Sequence, residues 1–161
     1  MNNVEFAIQM EIDGQKYYLE QAEKNKGTAL EKVFKMLAKD EEKHEALVKN
    51  YAKAVEYDLS EENAITEFNN VFKSAEDFKT ELKGMPEQID AYRMALEKEK
   101  ESIELYHKMK DEASNEKDKA LFDYLIRQEE YHFTIFDNLV QHLRIAEEWV
   151  EDAEFGKRET Y

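Results

Sequence analysis

The chain has 161 residues, with 38 acidic side chains against 23 Lys and Arg, four Gly, one Pro and no Cys. That length supports one sizeable core rather than two domains, and so few Gly and Pro leave too few turns for a many-stranded sheet, so the expected class is all-α. A formal charge of −15 repels phosphate backbones and anionic membranes, and the absence of cysteine excludes disulfides, thiolate metal sites and a thiol nucleophile.

The start, Met1 to Phe6, shows neither a basic segment nor an apolar run, and no stretch reaches the roughly 18 apolar residues of a membrane span. Neither nucleic acid nor membrane is an expected partner, and the expected location is the cytoplasm.

The first helix is predicted from Asn3 to Lys24. Its inward stripe is Val4, Ala7, Glu11, Gly14, Tyr18 and Ala22, at spacings of three and four. It should stop at Asn25-Lys26-Gly27. Thr28, with Glu31 three residues on, predicts a capping box opening the second helix. The stripe there runs Leu30, Phe34, Leu37, Glu41, His44, Val48, Tyr51 and Val55. So short a link makes an antiparallel pair, spanning residues 3–56.

Residues 58–85 read as a long crossover with short helical stretches at 60–73 and 74–82. Ile65, Phe68, Val71, Phe72, Phe78 and Leu82 would pack it on the bundle. After Gly84-Met85-Pro86 a second pair is predicted over 87–143. Its third helix carries Gln88, Tyr92, Ala95, Glu99, Ser102, Tyr106, Met109 and Ala113 inward. Following a turn at Ser114-Asn115, the fourth carries Leu121, Leu125, Glu129, His132, Phe136, Leu139 and Leu143. The tail, 144–161, is expected to extend this helix and to pack Ile145, Trp149 and Phe155 on the bundle or on a second subunit. A single domain over 1–161, assembling as a homodimer, is the expected organisation.

An internal repeat constrains this reading. A shift of 88 residues places Ala7 on Ala95, Glu11 on Glu99, Tyr18 on Tyr106, Phe34 on Phe122, Leu37 on Leu125, Glu41 on Glu129 and His44 on His132. The matches fall on the inward stripes and one ungapped register aligns both helices of each pair. The pattern is that of a bundle with internal two-fold pseudosymmetry.

Glu-x-x-His alone means little in so acidic a chain, since three of its four His follow a Glu by three residues. Glu104 and His107 show the ordinary case, because Glu104 points away from the stripe and belongs to a solvated face. Glu41 with His44, and Glu129 with His132, lie instead on the apolar faces, where residues at i and i+3 can ligate one ion. Glu11 and Glu99 interrupt the other two stripes. An unpaired buried carboxylate costs several kcal/mol, so four in one core demand compensation. Two divalent cations cancel four carboxylates, and each would keep one imidazole. The alternative is that these acids sit at the bundle edge or pair with Lys and protonated His.

On these residues the chain, over about 4–140, resembles the ferritin-like di-iron carboxylate family, and most of all the ferritin domain of rubrerythrins. The resemblance implies a ferritin-like four-helix bundle with the long crossover between helices 2 and 3. It implies two metal ions, iron first and manganese or zinc as alternatives. Glu41 and Glu129 would bridge them, Glu11 and Glu99 would be terminal ligands, and His44 and His132 would cap one metal each. Tyr18 and Tyr106 match tyrosines beside the metals in the family and are the candidate catalytic residues, with plain core packing as the other reading. Asp40 and Gln128 would each orient a histidine through its outer ring nitrogen.

Two departures stand out. Rubrerythrins usually carry a four-cysteine rubredoxin domain, which a cysteine-free chain lacks, so an external electron donor is implied. They also carry an additional Glu where Ser102 stands. The expected function is a di-metal oxidoreductase reducing peroxide or dioxygen in a rubrerythrin-like manner. The alternatives are metal binding or ferroxidase-type iron handling without organic substrate turnover, and a purely structural acidic bundle.

Overall fold

In the computed structural model, residues 1–59, 68–69 and 88–155 are described, those of 146–155 by backbone alone. Four helices account for most of them: α1 (Asn3–Lys24), α2 (Ala29–Ala52), α3 (Ile89–Glu112) and α4 (Glu116–Phe155). No strand occurs among the described residues, and no helix there is long and apolar enough to cross a membrane. The molecule is a ferritin-like all-α bundle.

Local chemistry sets the helix ends. The Asn2 side chain accepts from the Glu5 amide at 2.9 Å while the Glu5 carboxylate accepts from the Asn2 amide at 3.2 Å. This capping box satisfies donors that the first turn leaves open. At the other end of α1, Gly27 takes φ +84°, a left-handed conformation that a side chain would strain.

The capping box expected at Thr28 and Glu31 does not form. The Thr28 hydroxyl donates to the Asn25 carbonyl at 2.7 Å instead of capping α2, and Glu31 faces Lys35 at 3.5 Å. The tight turn brings a carbonyl left open by the end of α1 within reach of that hydroxyl, and the nearer acceptor wins. The predicted length of the second helix was also too great. Ala54 adopts φ +55°, the Val55 amide bonds back to the Asn50 carbonyl at 2.9 Å, and Val55 lies exposed. This is a left-handed helix stop made without glycine, so apolar spacing ran on past the true end.

Between α3 and α4, Ala113 is extended and Asn115 caps α4 by accepting from the Asp118 amide at 2.9 Å. The helix runs past Arg144 to Phe155, while the packing expected of Trp149 and Phe155 lies outside the described side chains. Most of the expected crossover also lies outside the described residues. Within it Phe68 is helical and buried in the core.

α1 packs along α2 and α3 along α4, whereas α1 meets α3, and α2 meets α4, at few points. Two apolar clusters fill the interior. One gathers Tyr18, Leu30, Phe34, Leu37, Tyr92 and Phe136; the other gathers Ala7, Val48, Tyr106, Leu121, Phe122 and Leu125. On every helix the candidate ligands fall between a residue of one cluster and a residue of the other. The polar layer is therefore sealed at both ends by hydrocarbon.

Gly27→Ala should lower stability by about 1 kcal/mol, because a Cβ there meets no atom within 4 Å and only the left-handed backbone resists it. Urea unfolding of the chelator-treated protein measures this, and an unchanged midpoint would contradict the assigned turn.

Candidate metal centre

Each ligand candidate projects from the middle of a long helix whose flanking turns are anchored in apolar core. Glu11 lies on α1, Glu41 and His44 on α2, Glu99 on α3, and Glu129 and His132 on α4. None of the six is more than 4% exposed. His44 Nδ1 lies 3.0 Å from Glu129 Oε1, 3.5 Å from Glu11 Oε2 and 3.6 Å from Glu41 Oε1. His132 Nδ1 lies 2.7 Å from Glu41 Oε1, 3.4 Å from Glu129 Oε2 and 3.6 Å from Glu99 Oε1.

Donor atoms of Glu11, Glu41, His44 and Glu129 all fall within 4.8 Å of one another, as do those of Glu41, Glu99, Glu129 and His132. The two groups share Glu41 and Glu129. Sequence reasoning grouped these six residues, and the structure brings all six together. Glu104 and His107 are exposed and remain outside.

The surroundings of the cluster hold it in place. His132 Nε2 faces Asp40 Oδ2 at 3.0 Å, which turns Nδ1 inward, and Gln128, the repeat mate of Asp40, is likewise buried. The Tyr18 hydroxyl donates to Glu99 Oε1 and the Tyr106 hydroxyl to Glu11 Oε1. Each tyrosine therefore reaches across to the glutamate of the other helix pair. Both rings are also core residues, so packing and polar contact coexist in one side chain.

One contributor escaped the sequence reading. A Cβ placed on Gly14 would stand 2.8 Å from Glu41 Oε2, so the missing side chain leaves room for that carboxylate. A mid-helix glycine costs roughly 1 kcal/mol against alanine, and that cost was the available signal.

Burial raises the Glu11 and Glu99 carboxyls well above the ordinary range, and neighbouring carboxylates add to the effect. Burial opposes ionisation of Glu129 too, but the neighbouring Glu99 and the two imidazoles outweigh it and hold Glu129 well below that range. Burial opposes charge on both imidazoles. Glu11 and Glu129 outweigh it at His44, as Glu41 and Glu99 do at His132, so both are raised.

Glu11 Oε2, Glu99 Oε2 and Glu129 Oε2 are buried and make no hydrogen bond, while Glu41 Oε1 and His132 Nδ1 form a close ion pair at 2.7 Å without hydrogen-bond alignment. Each of the three unbonded oxygens carries a desolvation penalty that ligation removes. Four carboxylates and two imidazoles, grouped around two shared glutamates, fit a pair of metal ions: the cluster is a candidate di-metal site. A family model described as rubrerythrin matches residues 2–140. No curated protein and no solved structure matches the chain.

Metal binding must displace the protons that the raised pKa values keep on Glu11, Glu99 and the two imidazoles. Zinc titrations should therefore show net proton release, and affinity should tighten as pH rises. Calorimetry in buffers of different ionisation enthalpy detects the protons. Identical heats in both buffers would mean that the metal binds elsewhere.

Proposed function

The chain belongs to the rubrerythrin family, and from that premise we propose that it is a di-iron oxidoreductase reducing peroxide or dioxygen with electrons from an external donor. The observation that carries the reading is the pair of buried ligand groups sharing Glu41 and Glu129. Sharing suits these two to bridge. Glu11 and Glu99, each in one group, would be terminal, and His44 and His132 would supply one nitrogen to each ion.

Two bound iron ions would supply the two electrons that convert peroxide and two protons into two waters. The protein's own part is positional. Oxygen and nitrogen donors favour iron or manganese over softer metals, and the apolar clusters close the two ends of the ligand layer. Tyr106, its phenol pKa raised well above the usual value by burial and by Glu11, retains its proton and serves as a donor that fixes Glu11. Tyr18 occupies the equivalent position toward Glu99. A separate protein or small reductant would return electrons. A cytoplasmic homodimer completes the proposal, with subunit number open to light scattering.

Iron-loaded protein supplied with a reductant should consume peroxide, and the Glu41→Ala, Glu129→Ala double variant should lose both metal and activity. Stoichiometric iron with peroxide consumption no faster than free iron would favour iron handling over turnover. Tyr18→Phe and Tyr106→Phe should each reduce metal affinity or turnover by about 10- to 100-fold, the usual effect of removing a ligand's hydrogen-bond partner. If both variants match the parent in both quantities, the tyrosines are packing residues only.

A further inference from the structure

Where α1 meets α3, a cleft of about 350 Å³ between described residues reaches Glu41 and Glu99. Its walls are Phe6, Met10 and Tyr17 on one helix and Met94 and Ala95 on the other. Phe6 and Met94, at 47% and 63% exposure, leave apolar surface unburied at the mouth. A water molecule occupies a share of roughly 30 Å³ in the liquid. The cleft is thus far larger than a two-oxygen oxidant needs, and it falls in the size range of organic ligand sites.

Two small residues open it. Gly14 and Ser102 are mates under the 88-residue repeat, and both line the cleft. At Gly14 no side chain separates the cleft from the Glu41 carboxylate. Ser102 turns its hydroxyl back to the Lys98 carbonyl at 3.1 Å and lies 3.8 Å from Met10 Sδ, so it adds little bulk or free polarity. Thioethers such as Met10 and Met94 adapt their shape to an apolar guest.

Charge narrows the class of guest. The rim cation Lys98 faces Glu101 at 3.7 Å, and Asp13 accepts from Gln9, while the inner end is carboxylate. Lys98 is thus already paired, and any unpaired ion would lose its hydration against hydrocarbon walls.

We propose that this cleft binds an uncharged, mainly apolar small molecule with its inner end beside Glu41 and Glu99. Binding does not depend on the redox reading, so the two can fail separately. The probe is N-phenyl-1-naphthylamine, compared with 8-anilinonaphthalene-1-sulfonate, which adds a sulfonate to the same rings. Fluorescence titration should show one saturable site for the neutral probe and binding about tenfold weaker, or less, for the sulfonate. Ser102→Phe, which fills the cleft, and Met94→Lys, which charges its exposed lip, should each weaken the neutral probe by about tenfold. Proton relaxation of the bound probe should be faster with Mn²⁺-loaded than with Zn²⁺-loaded protein. Failure of the neutral probe to saturate, equal affinity for both probes, unchanged affinity in both variants, or relaxation indifferent to Mn²⁺ would each overturn the proposal. If the protein takes up no metal, the di-metal reading fails while the fluorescence results still decide the cleft.

Discussion

Four carboxylates and two imidazoles sit in one layer of the bundle interior, none more than 4% exposed. Water would solvate these groups far better than hydrocarbon does, so this layer is the most expensive part of the core to desolvate. Much of the surrounding design answers that cost. Tyr18 and Tyr106 donate to Glu99 and Glu11, Asp40 faces His132, and Gly14 withholds the atom that would crowd Glu41. Even so, the buried oxygens Glu11 Oε2, Glu99 Oε2 and Glu129 Oε2 lack a hydrogen bond, which is what a layer shaped to hold cations would show.

Pseudosymmetry explains how one layer can serve two ions. The repeat sets Glu41 opposite Glu129 and His44 opposite His132, with the imidazole centroids 5.7 Å apart and their planes 26° from parallel. The tyrosines cross between the halves, so neither helix pair completes its own site and the two must assemble together. Symmetry is broken where Asp40 answers to Gln128 and Gly14 to Ser102. The first difference puts a carboxylate against His132 Nε2 where the mate position holds an amide. At the second, Gly14 and Ser102 both line the cleft between α1 and α3.

The same division of labour separates stability from chemistry. Apolar clusters on either side of the layer hold the helices in register, and few contacts join α1 to α3. Apolar side chains such as Phe6 and Met94 stand exposed at that seam. The cleft beside them reaches the carboxylates.

Composition pointed to the class, and spacing to the first helix from Asn3 to Lys24; spacing with the repeat picked out six residues that the fold brings together, because an acid on an apolar face is legible from periodicity. Helix ends were less legible. Thr28 looks like a cap in sequence but bonds to Asn25, and Ala54 ends α2 in a conformation usually given to glycine. Those outcomes depend on which carbonyl lies nearest once the turn has closed. The crosswise tyrosine bonds, the space beside Gly14 and the α1–α3 cleft were beyond sequence reading for a related reason. Each depends on the distance between residues on different helices, and only packing in three dimensions sets that distance.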